Sequence, residues 1–251
     1  LIVGITYSKD NLKNKARLIA EKRGFIFAGQ IDTAIRFWLK LTKDNLTLVD
    51  SSGKLSPFKL DFLSGSGLYQ LRHRTHQKDF LARAIGRHPV NTCLVDATAG
   101  LAADSIALLA YGFKIILIEQ NQAVATLLED ALARASTDKE YGGLFKKNLS
   151  LITGSSQSIM NKMQKKPDIV YLDPMYPETA KSSLPLKPMQ YLRSITKEGA
   201  EANSDLLAAA LQNAQKKVVV KRPLKAAYLE NIKPSHQING KTTRYDVYIK
   251  N

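Results

Sequence analysis

The chain has 251 residues, with 37 Lys+Arg against 22 Asp+Glu and a formal charge of +15. Hydrophobic residues make up 44% and charged residues 24%, ordinary usage for a folded chain, which excludes a disordered tail and a fibre. The single cysteine, Cys93, excludes an intramolecular disulfide and a cysteine-cluster metal site.

In chain order, residues 2–6 form a short apolar run that predicts a strand. Residues 11–23 place Leu12, Ala16, Ile19 and Ala20 at helical spacing among lysines and arginines, and Gly24 stops that helix. Short runs at 37–41, 46–50 and 55–61, separated by turn clusters, predict strands of a small N-terminal α+β domain over residues 1–67. A basic helical connector spans 68–88, with a helix predicted over 69–86. From residue 89 strands and helices alternate: strands at 93–95, 114–118, 149–152 and 169–172, helices at 102–111 and 122–134. The strands are continuous apolar runs, as in buried parallel sheets. Asn121 is placed to cap the second helix, whose Val124, Leu127, Leu128, Ala131 and Leu132 share one face, and Gly112 closes the first. A Pro-, Ser- and Lys-rich stretch to about residue 188 predicts a long functional loop. A helix at 206–214, a strand at 217–221 and a hairpin turning at Asn239-Gly240 complete a doubly wound, Rossmann-like α/β domain over residues 89–251.

The surplus of base asks for a polyanion, and nucleic acid is the first candidate. Arg72, Arg74, Lys78, Lys221, Arg222 and Lys241 are candidates for RNA phosphate contacts, with a solvated basic face as the plainer reading of each. No apolar run approaches the ~20 residues that cross a bilayer, and Lys9 and Asp10 interrupt the opening run too early for a secretory signal. A cytoplasmic protein without a membrane partner is expected. The four histidines lack metal-ligand spacing, so no metal is expected. Cys93 and Trp38 read as core.

In an open α/β sheet the ligand lies over the carboxyl ends of the strands. The residues following the predicted strands are therefore the candidate site. Asp96-Ala97-Thr98-Ala99-Gly100 follows the first, Glu119-Gln120 the second, Gly154-Ser155-Ser156 the third and Asp173-Pro174-Met175-Tyr176-Pro177 the fourth. Glu119 is placed to accept from both hydroxyls of a ribose, or else is a solvated carboxylate at a helix start. The first loop has one glycine, Gly100, where a pyrophosphate loop needs three, and carries Asp96 and Asp104. Two carboxylates oppose a pyrophosphate and favour a ligand bearing an ammonium and a sulfonium, as S-adenosylmethionine does; helix capping is their alternative role. Ser155 and Ser156 could meet an adenosine edge. A base amine has a lone pair delocalised into its ring, so its methylation needs an acceptor that holds the amine and a flat group that fixes the base. Asp173 and Tyr176 fit those two tasks, between the stiffening Pro174 and Pro177. A proline-terminated strand with a surface tyrosine is the alternative.

The runs Asp96-Ala97-Thr98-Ala99-Gly100-Leu101, Glu119 with Asn121, Tyr171-Leu172-Asp173-Pro174-Met175-Tyr176-Pro177 and Val218-Val219-Val220-Lys221-Arg222-Pro223 resemble the bacterial RsmJ family. The resemblance runs in order from residue 96 to residue 248, with a weaker match in the N-terminal part. It implies a Rossmann-like class I methyltransferase using S-adenosylmethionine on the N2 amine of one guanine in small-subunit (16S) ribosomal RNA. It also implies cofactor contacts at Ala103, Asp104, Glu119, Gln120, Ser155, Ser156 and Asp173. Three departures stand out. Ala102-Ala103-Asp104 replaces a usual Gly-Arg-Asp, Gln120 replaces an arginine, and residues 72–78 replace a glycine-rich stretch.

The expected enzyme is thus a guanine-N2 methyltransferase whose partner is ribosomal RNA or the small subunit. Catalysis would be mostly positioning by Glu119, Asp104, the two serines, Asp173 and Tyr176. Rival readings are an amino-methyltransferase acting on adenine or cytosine in RNA or DNA, and a non-catalytic RNA-binding ribosome-assembly factor that keeps the fold.

Overall fold

The computed structural model describes residues 2–73, 79–175, 187–196 and 205–250. The chain opens with β1 (Val3–Tyr7), buried over four of its five residues, and α1 (Lys13–Arg23), which Gly24 closes with a left-handed φ of 70°. Next come β2 (Ile26–Phe27), β3 (Phe37–Leu41) and β4 (Leu46–Asp50). They form a four-stranded sheet in the order β2-β1-β3-β4, with β1 parallel to both neighbours and β3 antiparallel to β4. The run at 55–61 is not a strand: it makes one bridge, Leu48 to Phe58. Pro57 in its middle has no N–H to give a ladder.

The predicted 69–86 helix is two helices, α2 (Gly65–His73) and α3 (Phe80–Ile85). Asp79 is extended, and its side chain accepts from Leu81 N, so α3 has its own capped start.

The larger sheet follows the alternating pattern. Its elements are β5 (Cys93–Asp96), α4 (Ala103–Leu109), β6 (Lys114–Glu119), α5 (Gln122–Ser136), α6 (Gly142–Asn148), β7 (Leu149–Thr153), α7 (Ser156–Lys162), β8 (Ile169–Leu172), α8 (Lys187–Thr196), α9 (Leu206–Asn213), β9 (Lys217–Pro223), β10 (His236–Asn239) and β11 (Thr243–Ile249). The order is β10-β11-β9-β8-β5-β6-β7. Neighbours from β9 through β7 are parallel, and β11 is antiparallel to both β9 and β10. The order reverses beside β5, which places β5, β6 and β8 around the crevice where such sheets bind ligands. Asn121 caps α5 by accepting from Ala123 N and Val124 N. The hairpin turns later than Asn239-Gly240 suggested: Asn239 still pairs with Arg244, and Gly240 N donates to Thr243 O across Lys241-Thr242.

Helix α8 falls at the end of the stretch expected to be a loop. It joins both sheets. Tyr191 stacks on Phe58 at 5.9 Å, meets Phe37 edge-on at 6.2 Å and donates to Ser56 O at 3.1 Å. Its neighbour Leu192 lies against Gly100, where an added Cβ would come 3.3 Å from Cδ2. Elsewhere along the junction Arg23 donates to Gln122 and Glu129, Arg134 donates to Leu60 O, and Phe62 stacks on Phe145 at 5.9 Å. Residues of both sheets share one apolar core, from Ile5 and Leu48 to Leu127 and Tyr245.

Trp38 is fully buried, and its indole N–H donates to Asp32 O and Ile35 O at 2.9 Å. Its ring lies over Gly4, where an added Cβ would come within 2.5 Å of the ring carbons. Gly4→Ala is therefore expected to lower unfolding stability by about 1–3 kcal/mol through overpacking. Gly143→Ala, in α6 with no atom within 4 Å of the new Cβ, is expected to raise it by up to about 1 kcal/mol. Urea unfolding of the two variants checks both signs.

Candidate active site

Four carboxyl groups gather at the C-terminal edge of the larger sheet. Asp96 ends β5, Glu119 ends β6, Asp173 follows β8, and Asp104 sits in the first turn of α4. Each is held by a specific set of donors.

Asp96 is 2% exposed. Its Oδ1 accepts from Thr98 N at 3.1 Å and its Oδ2 from Ser105 Oγ at 2.5 Å. Burial, together with the nearby Asp104 and Asp173 charges, pushes its carboxyl up to about 7. Glu119, also buried, accepts from Asn121 N at 2.7 Å and from Gly100 N at 2.9 Å. Burial raises its carboxyl against those backbone donors. A carboxylate has about four acceptor sites, so these backbone donors, with Gln120 N–H beside them, still leave Glu119 room for a hydroxyl, which is what a ribose diol requires.

Asp104 and Asp173 share a cation. Lys221 Nζ lies 2.7 Å from Asp104 Oδ2 and 2.9 Å from Asp173 Oδ2. Burial alone would lower the Lys221 ammonium, but the two carboxylates hold it charged well above the ordinary lysine range. Tyr171 OH donates to Asp104 Oδ2 at 2.6 Å, and burial plus the two acids push the phenol far up. Asp173 N donates to Thr98 Oγ1 at 2.6 Å, which ties the fourth strand's loop to the first. Burial and Asp104 raise the Asp173 carboxyl against the pull of Lys221. With 41% of its side chain exposed, against 23% for Asp104, Asp173 is the acid that an arriving substrate can reach.

The first loop keeps its shape without the expected glycine. Ala102, buried, takes φ +58° and ψ +21°, the left-handed conformation that glycine adopts freely, at a cost of about 1 kcal/mol. Ala103 begins α4 and is exposed. Ser156 is buried and its hydroxyl donates to Ala97 O, which anchors the third loop to the first. Ser155 is exposed and donates to Gln157 Oε1 at 3.1 Å, and Gln120 is exposed beside Glu119.

Two phosphate candidates are placed differently from the sequence expectation. Lys221 lies inside the acidic pocket, paired with Asp104 and Asp173, rather than on the outer face. Arg222 is 7% exposed and its Nη2 donates to Ala227 O. In a strand, successive side chains point to opposite faces, and here Arg222 is buried on one while Lys221, on the other, pairs with two carboxylates. Arg72 is half exposed and bonds Glu140 and Tyr141, and Lys241 is exposed at the tip of the hairpin. Arg74, Lys78 and Tyr176 lie outside the described residues. Residues that sequence reasoning missed are Thr98, Ser105 and Tyr171. Their signal was positional: a hydroxyl two residues after Asp96, another one position after Asp104, and a tyrosine two before Asp173.

The donor set fits a cation-bearing nucleoside. Four carboxyl groups line the edge, of which Asp104 and Asp173 share the Lys221 ammonium, and Gly100, at φ +51°, leaves a backbone cradle that a Cβ would fill against Leu192. With a parallel sheet that reverses beside β5 and a single strand, β11, running against it, the fold and its acidic edge define the class: an S-adenosylmethionine-dependent methyltransferase. A family model described as "Putative SAM-dependent methyltransferase" matches residues 20–250. A protein of Shewanella amazonensis named ribosomal RNA small subunit methyltransferase J is 41% identical over 217 residues, covering 85% of this chain and 87% of the relative. One of the same name from Thioalkalivibrio sulfidiphilus is 35% identical over 254 residues, covering 98% and 97%. The crystal structure of an S-adenosylmethionine-dependent methyltransferase from Neisseria gonorrhoeae superposes with a TM-score of 0.76 at 33% identity, covering 98% and 95%. The chain belongs to the ribosomal RNA small subunit methyltransferase J family. Among the described residues no helix is long and apolar enough to cross a membrane.

The raised Asp96 carboxyl has a stability consequence. Between about pH 4 and 7 the folded chain keeps a proton that the unfolded chain releases, so Asp96 makes stability fall as pH rises through that window. Asp96→Asn removes this component. The wild type is therefore expected to lose stability relative to Asp96→Asn from pH 5 to pH 7, by at most roughly 1.4 kcal/mol per pH unit, and to level off above that. Urea midpoints of both proteins across the window check the slope, and parallel curves would contradict it.

Proposed function

We propose that the protein methylates the exocyclic N2 amine of a specific guanine in small-subunit ribosomal RNA, as a cytoplasmic enzyme. The observation that carries this reading is Asp173. It stands at the end of β8 with its backbone tied to Thr98, Oδ2 held by Lys221, and Oδ1 without a hydrogen bond among the described residues. A carboxylate oxygen at the rim of the pocket is the acceptor that an amine N–H needs. The names of the relatives support RNA of the small subunit as the substrate.

When bound, S-adenosylmethionine supplies a methyl group on a cationic sulfur. Glu119 would accept from the ribose hydroxyls, the N–H groups of the first loop and Ala103 would lie along the methionine end beside Asp104, and Ser155, Ser156 and Gln120 would border the adenosine. Asp96, buried and bonded to Ser105, supports the loop from beneath. Asp173 would accept an N–H of the target amine, orient its lone pair, and receive the proton lost after transfer, or pass it to water. Tyr176, three residues further on, is proposed to stack on the base. For the RNA backbone, the exposed Lys241, with the exposed Lys225 beside it where Leu224 N donates to Thr242 O, and the half-exposed Arg72 are the proposed contacts, joined by Arg74 and Lys78.

Transfer of labelled methyl to small subunits lacking the modification, followed by digestion to nucleosides, is expected to give labelled N2-methylguanosine. Label in adenosine or cytidine would overturn the guanine assignment, and no label with intact RNA binding would favour an assembly factor. In the same assay Asp173→Asn is expected to keep the wild-type melting temperature within a few degrees and to lose about 100-fold or more in turnover. Wild-type turnover in that variant would remove Asp173 from the mechanism.

A further inference from the structure

The candidate role that changed most between sequence and structure is that of Lys221. It stands at the C-terminal end of β9, where β8 lies alongside in the sheet and Leu172 pairs with Val220, so Asp173 and Lys221 are the next residues on adjacent strands. On its other side Lys221 pairs with Tyr245 of β11. Two of its three N–H donors are committed, to Asp104 and Asp173. Its charge is already shared between two carboxylates, Asp104 and Asp173, which is not the arrangement of a lysine that serves RNA phosphates.

We propose that Lys221 is a positioning residue of methyl transfer: its ion pair fixes Asp173 Oδ2, so that Oδ1 meets the acceptor amine as an ionised, oriented acceptor. This rests on the reading of the protein as an amino-methyltransferase.

The groups facing this pair come from four elements. They are Asp104 from α4, Asp96 at the end of β5, Tyr171 from β8 and Tyr245 from β11. Two are carboxyls and two are phenols, and Lys221 supplies the cation. Carboxyl groups crowded together disfavour one another's ionised form unless a cation stands among them. Without the ammonium, nothing offsets the burial and the Asp104 charge that raise the Asp173 carboxyl, and Asp173 takes up a proton. A protonated Asp173 offers an O–H where the amine needs an acceptor, and it cannot receive the amine proton. In the transfer, the amine lone pair forms the new C–N bond as the methyl–sulfur bond breaks with its electrons left on sulfur. The proton that the amine then sheds goes to the Asp173 carboxylate or to water.

The test compares wild type, Lys221→Met and Lys221→Arg in methyl transfer to small subunits from pH 6 to 9. For Lys221→Met the acidic limb of the kcat profile is expected to move up by about one pH unit or more, with turnover at pH 7 down about tenfold or more and partly recovered at pH 9. KM for the subunit is expected to hold within a few-fold. Lys221→Arg is expected to leave the limb near its wild-type position. The second readout needs no turnover. Urea unfolding between pH 6 and 8 is expected to show Lys221→Met losing stability relative to wild type as pH rises, because its folded form now holds a proton that the unfolded form releases. Lys221→Gln, which keeps a donor without the charge, replaces the Met variant if that one does not fold, with the same shifts expected.

An unmoved acidic limb in the uncharged variants would overturn the proposal. So would a raised KM with altered salt dependence and unchanged kcat, which is the signature of a phosphate contact. If wild type transfers no methyl to any nucleic acid, the functional reading fails first. The unfolding comparison then still decides whether Lys221 holds the carboxylates ionised.

Discussion

Burying acid at the edge of a sheet is costly unless every carboxylate finds donors, and the rest of this structure follows from how these four find them. Asp96 takes Thr98 N and Ser105, Glu119 takes the N–H groups of Gly100 and Asn121, and Asp104 and Asp173 divide Lys221, with Tyr171 adding to Asp104. The same bonds shape the loops. Glu119 pulls the first loop toward the second, Thr98 ties it to Asp173, and Ser156 ties it to the third through Ala97 O. Charge and loop geometry are thus one network. A substitution at any of the four acids changes both the affinity of the edge for a cation and the path of the backbone around it.

The second sheet reaches this network through α8. Tyr191 of that helix packs into the N-terminal unit, Leu192 rests on Gly100, and Asn121 Nδ2 donates to Ile195 O at 3.0 Å. Three successive contacts of one helix therefore meet the N-terminal sheet, the first loop and the capping residue of α5. The N-terminal strands brace the helix that closes over the loop, and the shared apolar core makes that brace rigid. The surplus of lysine and arginine is consistent with this division of labour: the acidic groups line the edge, and basic residues such as Lys225 and Lys241 are exposed on the loops that follow β9 and β10.

The parts legible in the sequence were those with strong local signals. Uninterrupted apolar runs gave β5, β6, β7 and β8 to within a residue or two, and Asn121 followed by a one-sided apolar face gave α5. The acids at the strand ends could be read off because the sheet places strand ends at the ligand. Helix α8 was not legible. Its apolar positions Tyr191, Leu192 and Ile195 cover barely one turn, after a segment of prolines, serines and lysines. The short α6 and α7 were missed for the same reason. The pairing of Lys221 was not legible because its partners lie 117 and 48 residues away in the chain, while nothing in its neighbours Val220 and Arg222 tells a lysine paired with carboxylates from a surface one.

The central claim is that this acidic edge holds the cationic cofactor, with Glu119 on the ribose. Calorimetric titration of S-adenosylmethionine into wild type and Glu119→Gln tests it most directly. The account predicts one site per chain in the wild type and affinity weakened about tenfold or more in the variant, since a charge-assisted pair of hydrogen bonds is replaced by neutral ones. Equal affinity in the two proteins, or no binding by a folded wild type, would contradict it.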